Sequence, residues 1–187
     1  MILQNVIGIN KKGAFLKMNI SEKTSESLDL LVGKAFDLNR SFDRAVSIMQ
    51  NKWCMPNAAD IIHHNLAHLF PLLADVISGF KDSWNLTTIY PETHEDKRDY
   101  NDLLIMMTTL RDEVLDYYTM IKMVYRLAEE ENDFNVIAML IDFMNKITIV
   151  VSQMYTLKDK AEQMPRDFDR FDNHISEWGI KGLNLGE

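Results

Sequence analysis

The stretch WNLTTIYPE, residues 84–92, separates two long helical patterns and decides how the chain is threaded. The pattern before it runs over 57–83, with Ile62, Leu66, Leu69, Leu73, Ile77 and Phe80 at helical spacing. The pattern after it, read from Thr93, runs over 93–130 with Leu103, Met107, Leu110, Val114, Ile121 and Val124. A link of roughly ten residues reaches about 33 Å at about 3.3 Å per residue. A helix of about 27 residues is about 40 Å long. The link can therefore nearly run back along the helix it leaves. This favours a single long crossover, with a simple up-down-up-down bundle as the alternative.

Two further helical patterns flank these. One covers 21–51, with Leu28, Leu31, Ala35, Leu38, Phe42, Ala45 and Met49. The other covers 133–164, with Ile137, Leu140, Met144, Ile147, Val151 and Met154. Short links make the first and second helices one antiparallel hairpin and the third and fourth another. Ser21, Asn57, Thr93 and Asp133 are the expected N-caps. Asp60 and Asp96 each stand three residues beyond a cap, where a negative charge favours the helix end. Residues 1–20 read as an extended segment, a hairpin around Gly13. Residues 21–165 form the four-helix bundle. In the tail, 166–187, Phe168, Phe171, Ile175 and Trp178 make an apolar seam on a short helix. That seam docks on its own bundle or on a neighbour.

Composition sets the class. The 187 residues are 47% hydrophobic and 26% charged, a globular balance long enough for one sizeable core. Gly (7) and Pro (4) are scarce, which favours long regular elements. The single Cys54 excludes an intrachain disulfide framework, so a reducing, cytoplasmic setting is expected. The opening MILQNVIGINKKGAF lacks a signal-peptide pattern. No window of about 18 apolar residues is free of charge, so no membrane span is expected. The net charge of −8 opposes DNA, whose affinity is bought with Lys and Arg. Lys11, Lys12 and Lys17 are the only basic cluster.

Three of the five histidines lie in IIHHNLAHLF, residues 61–70. At about 100° per residue, His64 points away from the Leu73-centred core arc, and His68 lies well outside it. Asp60, Pro71 and Asp75 share that outer sector, while His63 sits at the border of the core. His64 and His68, spaced i, i+4, can chelate one metal. The plain alternative is a solvated stripe in which Asp60 is a capping acid. Pro71 within the pattern predicts a kink, because it clashes with the Ala67 carbonyl and removes a hydrogen bond. Three-histidine metal chemistry would need a further ligand, and His94 and His174 are the only others outside the cluster.

A carboxylate di-iron bundle needs inward Glu on two helices and Glu-x-x-His on the other two. Asp60-x-x-His63 is near a helix end, Asp37 and Asp142 point outward, and Asp43 and Glu113 are lateral. An inward di-iron centre is therefore not expected. Cys54 has no basic neighbour to activate it, and no Gly-rich phosphate loop is present.

The four helices, the crossover and the segment NKWCMPNAADIIHHNLAHLF, residues 51–70, resemble the ferritin-like superfamily, and within it the mini-ferritins that protect DNA in starved bacteria. Trp53 and Asn57 stand where those proteins carry a Trp ending the first helix and an Asn starting the second. The resemblance implies an iron site between subunits on the outer faces of the first two helices. Lys52 replaces the family's ligating His, and Asp75 with Gly79 replaces its Asp/Glu pair, so the usual ferroxidase set is missing. The combined expectation is a ferritin-like metal-binding homo-oligomer, dimer or larger. It would serve iron storage or detoxification through a non-standard or lost site. His64 and His68 would be nitrogen ligands, with Asp60 and Asp75 as oxygen ligands, for Fe or Zn. The alternative is a metal-free interaction or scaffold module.

Overall fold

The computed structural model describes residues 20–183. The hairpin expected over 1–20 lies outside them except for Ile20, which is buried. The described chain is helical: α1 (Glu22–Asn51), α2 (Pro56–Ile62), a π-helical turn (His63–Ala67), α3 (Leu69–Ser83), α4 (Leu103–Glu131), α5 (Phe134–Gln163), α6 (Phe168–His174) and a 3₁₀ turn (Ile175–Trp178).

The crossover is longer than its sequence suggests. Helix α4 begins at Leu103, not near Thr93, and Asp102 caps it by accepting from Ile105 N–H at 2.9 Å. Residues 93–102 hold only Tyr100 as an apolar candidate, so they have no helical face to bury. The crossover is tied along α1 and its C-cap Lys52 instead. Asp29 accepts from Ile89 N–H at 3.1 Å, Asp37 from His94 N–H at 3.1 Å, and Lys52 pairs with Asp99 at 2.7 Å. These anchors advance along α1 in step with the crossover, so the crossover runs parallel to it. Gly33 makes room for this: a Cβ there would stand 2.8 Å from Pro91 Cγ. The pair α1 and α2–α3 is antiparallel, and the crossover carries the chain back so that α4 restarts at the end where α2 began. The order is up-down-down-up, the single-crossover bundle.

Charge locks the far half of the crossover. Arg98 donates to Asp96 and to Glu113 of α4, and at 2.6 Å to Ser41 of α1. Burial would raise the Asp96 carboxyl, but the hydrogen bonds and charge of Arg98 outweigh it and hold the group below its ordinary 3.8. A depressed folded value contributes stability above 3.8 that is lost as pH falls through the lower value. Burial pushes the Tyr100 hydroxyl up to about 12, so it stays neutral. We expect pepsin in acid to cut within 84–102 before it cuts the helices, and cleavage starting within the helices would contradict this anchoring.

The core follows the apolar stripes. Leu28, Leu38, Phe42, Leu66, Leu73, Leu110, Val114 and Leu140 are buried. On α5 the buried line is Val136, Leu140, Phe143, Ile147, Val150 and Met154, turned slightly from the expected stripe, so Ile137, Met144 and Val151 are only half-buried. By length and composition α5 is apolar enough to cross a membrane. It has two apolar faces: one fills the core, and Ile141, Ile149 and Tyr155 remain exposed. Asp142 and Lys146, paired at 2.7 Å, interrupt its outer surface.

The tail docks on its own bundle. Phe171 and Ile175 are buried, Phe168 stacks on Trp53 at 4.7 Å, and Trp178 meets Phe171 edge-on at 4.7 Å. Asp172 accepts from Ala58 N–H at 2.7 Å and from the Asn57 amide at 3.0 Å. It supplies the start of α2 with the cap that the N-cap residue, Met55, lacks. Asn57, expected as that cap, is instead inside the helix behind Pro56, a residue suited to the first helical position.

Candidate metal centre

The histidines sit on the π turn. Its backbone bond runs from His68 N–H to the His63 carbonyl, 3.1 Å, an i→i+5 contact. In a straight α-helix residues five apart lie about 140° apart around the axis. The wider turn brings them side by side, and the His63 and His68 rings lie 4.2 Å apart, centroid to centroid, tilted by 60°. His64 is 5.1 Å from His63 and 5.5 Å from His68 by the same measure. One ligand atom from each of His63, His64 and His68 falls within 4.8 Å of the others.

Pro71 explains the turn's place. Having no N–H, it leaves the Ala67 carbonyl without its helical donor. The extra residue of the π turn resets the register, so Pro71 becomes the third residue of α3, in a first turn where a missing donor costs little. The freed Ala67 carbonyl accepts instead from the Asn39 amide of α1 at 3.1 Å. The kink expected at Pro71 is thus an inserted residue upstream of it. Asn39→Ala strands that carbonyl in a half-buried place. We expect a loss of about 1–3 kcal/mol in chemical denaturation, and an unchanged midpoint would show that the carbonyl has another partner.

Carboxylates stand at two corners of the cluster. Asp60 Oδ1 is 3.3 Å from His64 Nε2, and Asp43 Oδ1 of α1 is 3.2 Å from His63 Nδ1. On the far side of the turn, Asn65 accepts from Gly182 N–H at 2.9 Å, which ties the tail to it. His64 and His68 are exposed and His63 is half-buried, so the site opens to solvent. A metal bound by about 2.0–2.1 Å bonds sets neighbouring nitrogens roughly 3.0–3.4 Å apart, so small side-chain rotations complete the set. Three imidazoles without a thiolate suit borderline divalent ions.

Of the residues expected to bind metal, the structure brings His64 and His68 together and puts Asp60 beside His64. Asp75 is exposed on α3, two turns past His68, and does not join the group. The third histidine is His63, not His94 or His174. His94 lies 3.8 Å from Asp37, and His174 lies 3.1 Å from Glu177. His63 was legible only as a border residue. Its signal is the spacing of five from His68 combined with a proline eight residues downstream of His63.

The bundle interior does not fit a di-iron centre. An aromatic row fills it: Phe42 and Phe70 at 5.1 Å, Phe70 and Tyr117 at 6.4 Å, Tyr117 and Phe143 at 6.3 Å. Burial drives the Tyr117 hydroxyl well above its ordinary range. The buried carboxylates among the described residues are Asp29, Asp133 and Asp172. Asp29 pairs with Lys81, Asp133 accepts from Ser21 N–H, and Asp172 caps α2. No buried Glu or His accompanies them among those residues.

The architecture is a ferritin-like four-helix bundle with one long crossover. Solved structures of a novel open pore ferritin from the hyperthermophilic archaeon Archaeoglobus fulgidus superpose with a TM-score of 0.77. The first covers 88% of this chain and 99% of that one at 12% identity, and the second covers 87% and 99% at 12% identity. No family model matches the chain, and no curated protein matches it.

Proposed function

We propose that this protein binds a divalent transition metal, iron or zinc, on the outer face of a ferritin-like bundle. His63, His64 and His68 are the nitrogen ligands, and Asp60 is the adjoining carboxylate. The observation that carries the reading is the convergence of three imidazoles on one π turn. Single-turn π insertions recur at functional sites, and this one costs the helix a register shift. Three protein ligands leave a position for water or another oxygen donor. Iron storage or detoxification is the role the fold suggests, carried out at this outer site and not at an interior one.

The mini-ferritin likeness of Trp53 and Asn57 adds a location. Asp43 of α1 and the π turn lie on the outer side of the α1–α2 pair, where a two-fold partner would cover them. Exposed Leu72, beside Pro71, gives that face an apolar element and supports a homo-oligomer. A cytoplasmic setting is part of the same proposal and rests on the single free Cys54.

The test is metal content of tag-free protein equilibrated with Fe(II) and with Zn(II), for wild type and for His64→Ala/His68→Ala. About one ion per chain in wild type and a negligible amount in the variant is expected. Equal, negligible content in both removes the reading. It would leave the metal-free interaction module, which the exposed Ile141, Ile149 and Tyr155 face of α5 favours.

A further inference from the structure

The triad has a gap on its α1 side. His63 Nδ1 and Asp43 Oδ1 face each other at 3.2 Å, and both atoms are shielded from solvent. Neither makes a hydrogen bond, because the contact has the distance of one without its alignment. A sheltered carboxylate oxygen and a sheltered ring nitrogen left this way are each costly. A small turn of the imidazole closes the contact, with Nδ1–H donating to Oδ1. That fixes the tautomer and leaves Nε2 as the ring's metal-binding nitrogen. Carboxylates that hold a ligating histidine in this manner make it a better and better-aimed ligand.

We propose that Asp43 is a positioning residue of the metal centre, holding His63 through Nδ1 so that Nε2 joins His64 and His68. The proposal rests on the three-histidine reading. Asp43 reaches the turn from a different helix, so it also ties the site's geometry to the packing of α1 against α2. Asp60 does not duplicate the role, since it meets His64. His63 is the ligand that the π turn adds to the ordinary His64/His68 pair, and Asp43 is the contact that keeps it in place.

The probe is Zn(II) alone, titrated into the full chain. Asp43→Ala is expected to weaken binding 10–100-fold, and Asp43→Glu to restore part of that loss. Asp43 is half-exposed, so the thermal midpoint of the metal-free variant checks that the fold is intact. Nitrogen-15 spectra of the imidazoles give a readout that a merely structural role would not move. In the wild-type Zn(II) complex His63 should carry its proton on Nδ1 and the metal on Nε2. Asp43→Ala binding Zn(II) as tightly as wild type, or His63 ligating through Nδ1, overturns the proposal and leaves the triad standing. Wild type that binds no Zn(II) removes the triad and this inference together.

Discussion

Lys81→Met should cost about 3–5 kcal/mol of folding stability, because it strands a buried carboxylate. Lys81 is fully buried, and its ammonium donates to Asp29 and, at 3.2 Å, to the Ser25 carbonyl. Asp29, 6% exposed, also holds Ile89 N–H. Three segments therefore meet at one charge pair: the start of α1, the end of α3 and the start of the crossover. For a chain of this size the loss corresponds to a fall of roughly 6–20 °C in midpoint. Lys81→Met/Asp29→Leu should recover most of it, since removing both charges also removes the unpaired one. Recovery will be incomplete, because Ile89 N–H and the Ser25 carbonyl lose partners. Urea denaturation measures the energies, and hydrogen exchange should show residues 84–92 losing protection first. A single variant as stable as wild type would mean that the pair is not closed in solution.

The second large effect concerns the histidines. Free Zn(II) at about 100 times its Kd should stabilise the fold by about 2.7 kcal/mol, roughly 5–10 °C. The single variants should be unequal. His68→Ala leaves His63 and His64, neighbours that do not face each other along a helix, and should lose roughly 100-fold or more, beyond what a supporting residue is worth. His64→Ala leaves the adjacent His63/His68 pair, 4.2 Å apart, and should lose less. His63→Ala is diagnostic: on a regular α-helix it would be silent, and on the π turn it removes a ligand. Isothermal titration of the three variants gives the order directly.

The threading was legible in the sequence because it depends on apolar period and link length. Leu28 to Met49, Leu66 to Ile77 and Leu103 to Val124 recur at helical spacing and are buried. The start of α4 was not legible, because Thr93 with Asp96 imitates a capped helix start. Those side chains instead belong to a charged strap on α1, a relation between residues far apart in the chain. Lys81 continues the Ile77 line by four residues, but lysine is so seldom buried that the stripe reads as ending at Phe80. The candidate metal centre was half legible. His64 and His68 share a face on any regular helix, and their outward direction holds in the structure. His63 joins them only through an i→i+5 turn that a period of 3.6 cannot represent, and Asp43 only through the packing of α1. Asp75 shares their sector only on a straight helix, and the π turn shifts the register between His63 and Pro71.

X-ray absorption of the Zn(II) complex, wild type against His63→Ala, tests the central claim most directly. Three imidazole nitrogens around the metal, falling to two in the variant, are predicted. Fewer than three imidazoles around the metal in wild type, or a spectrum indifferent to His63, would contradict a three-histidine centre built by the π turn.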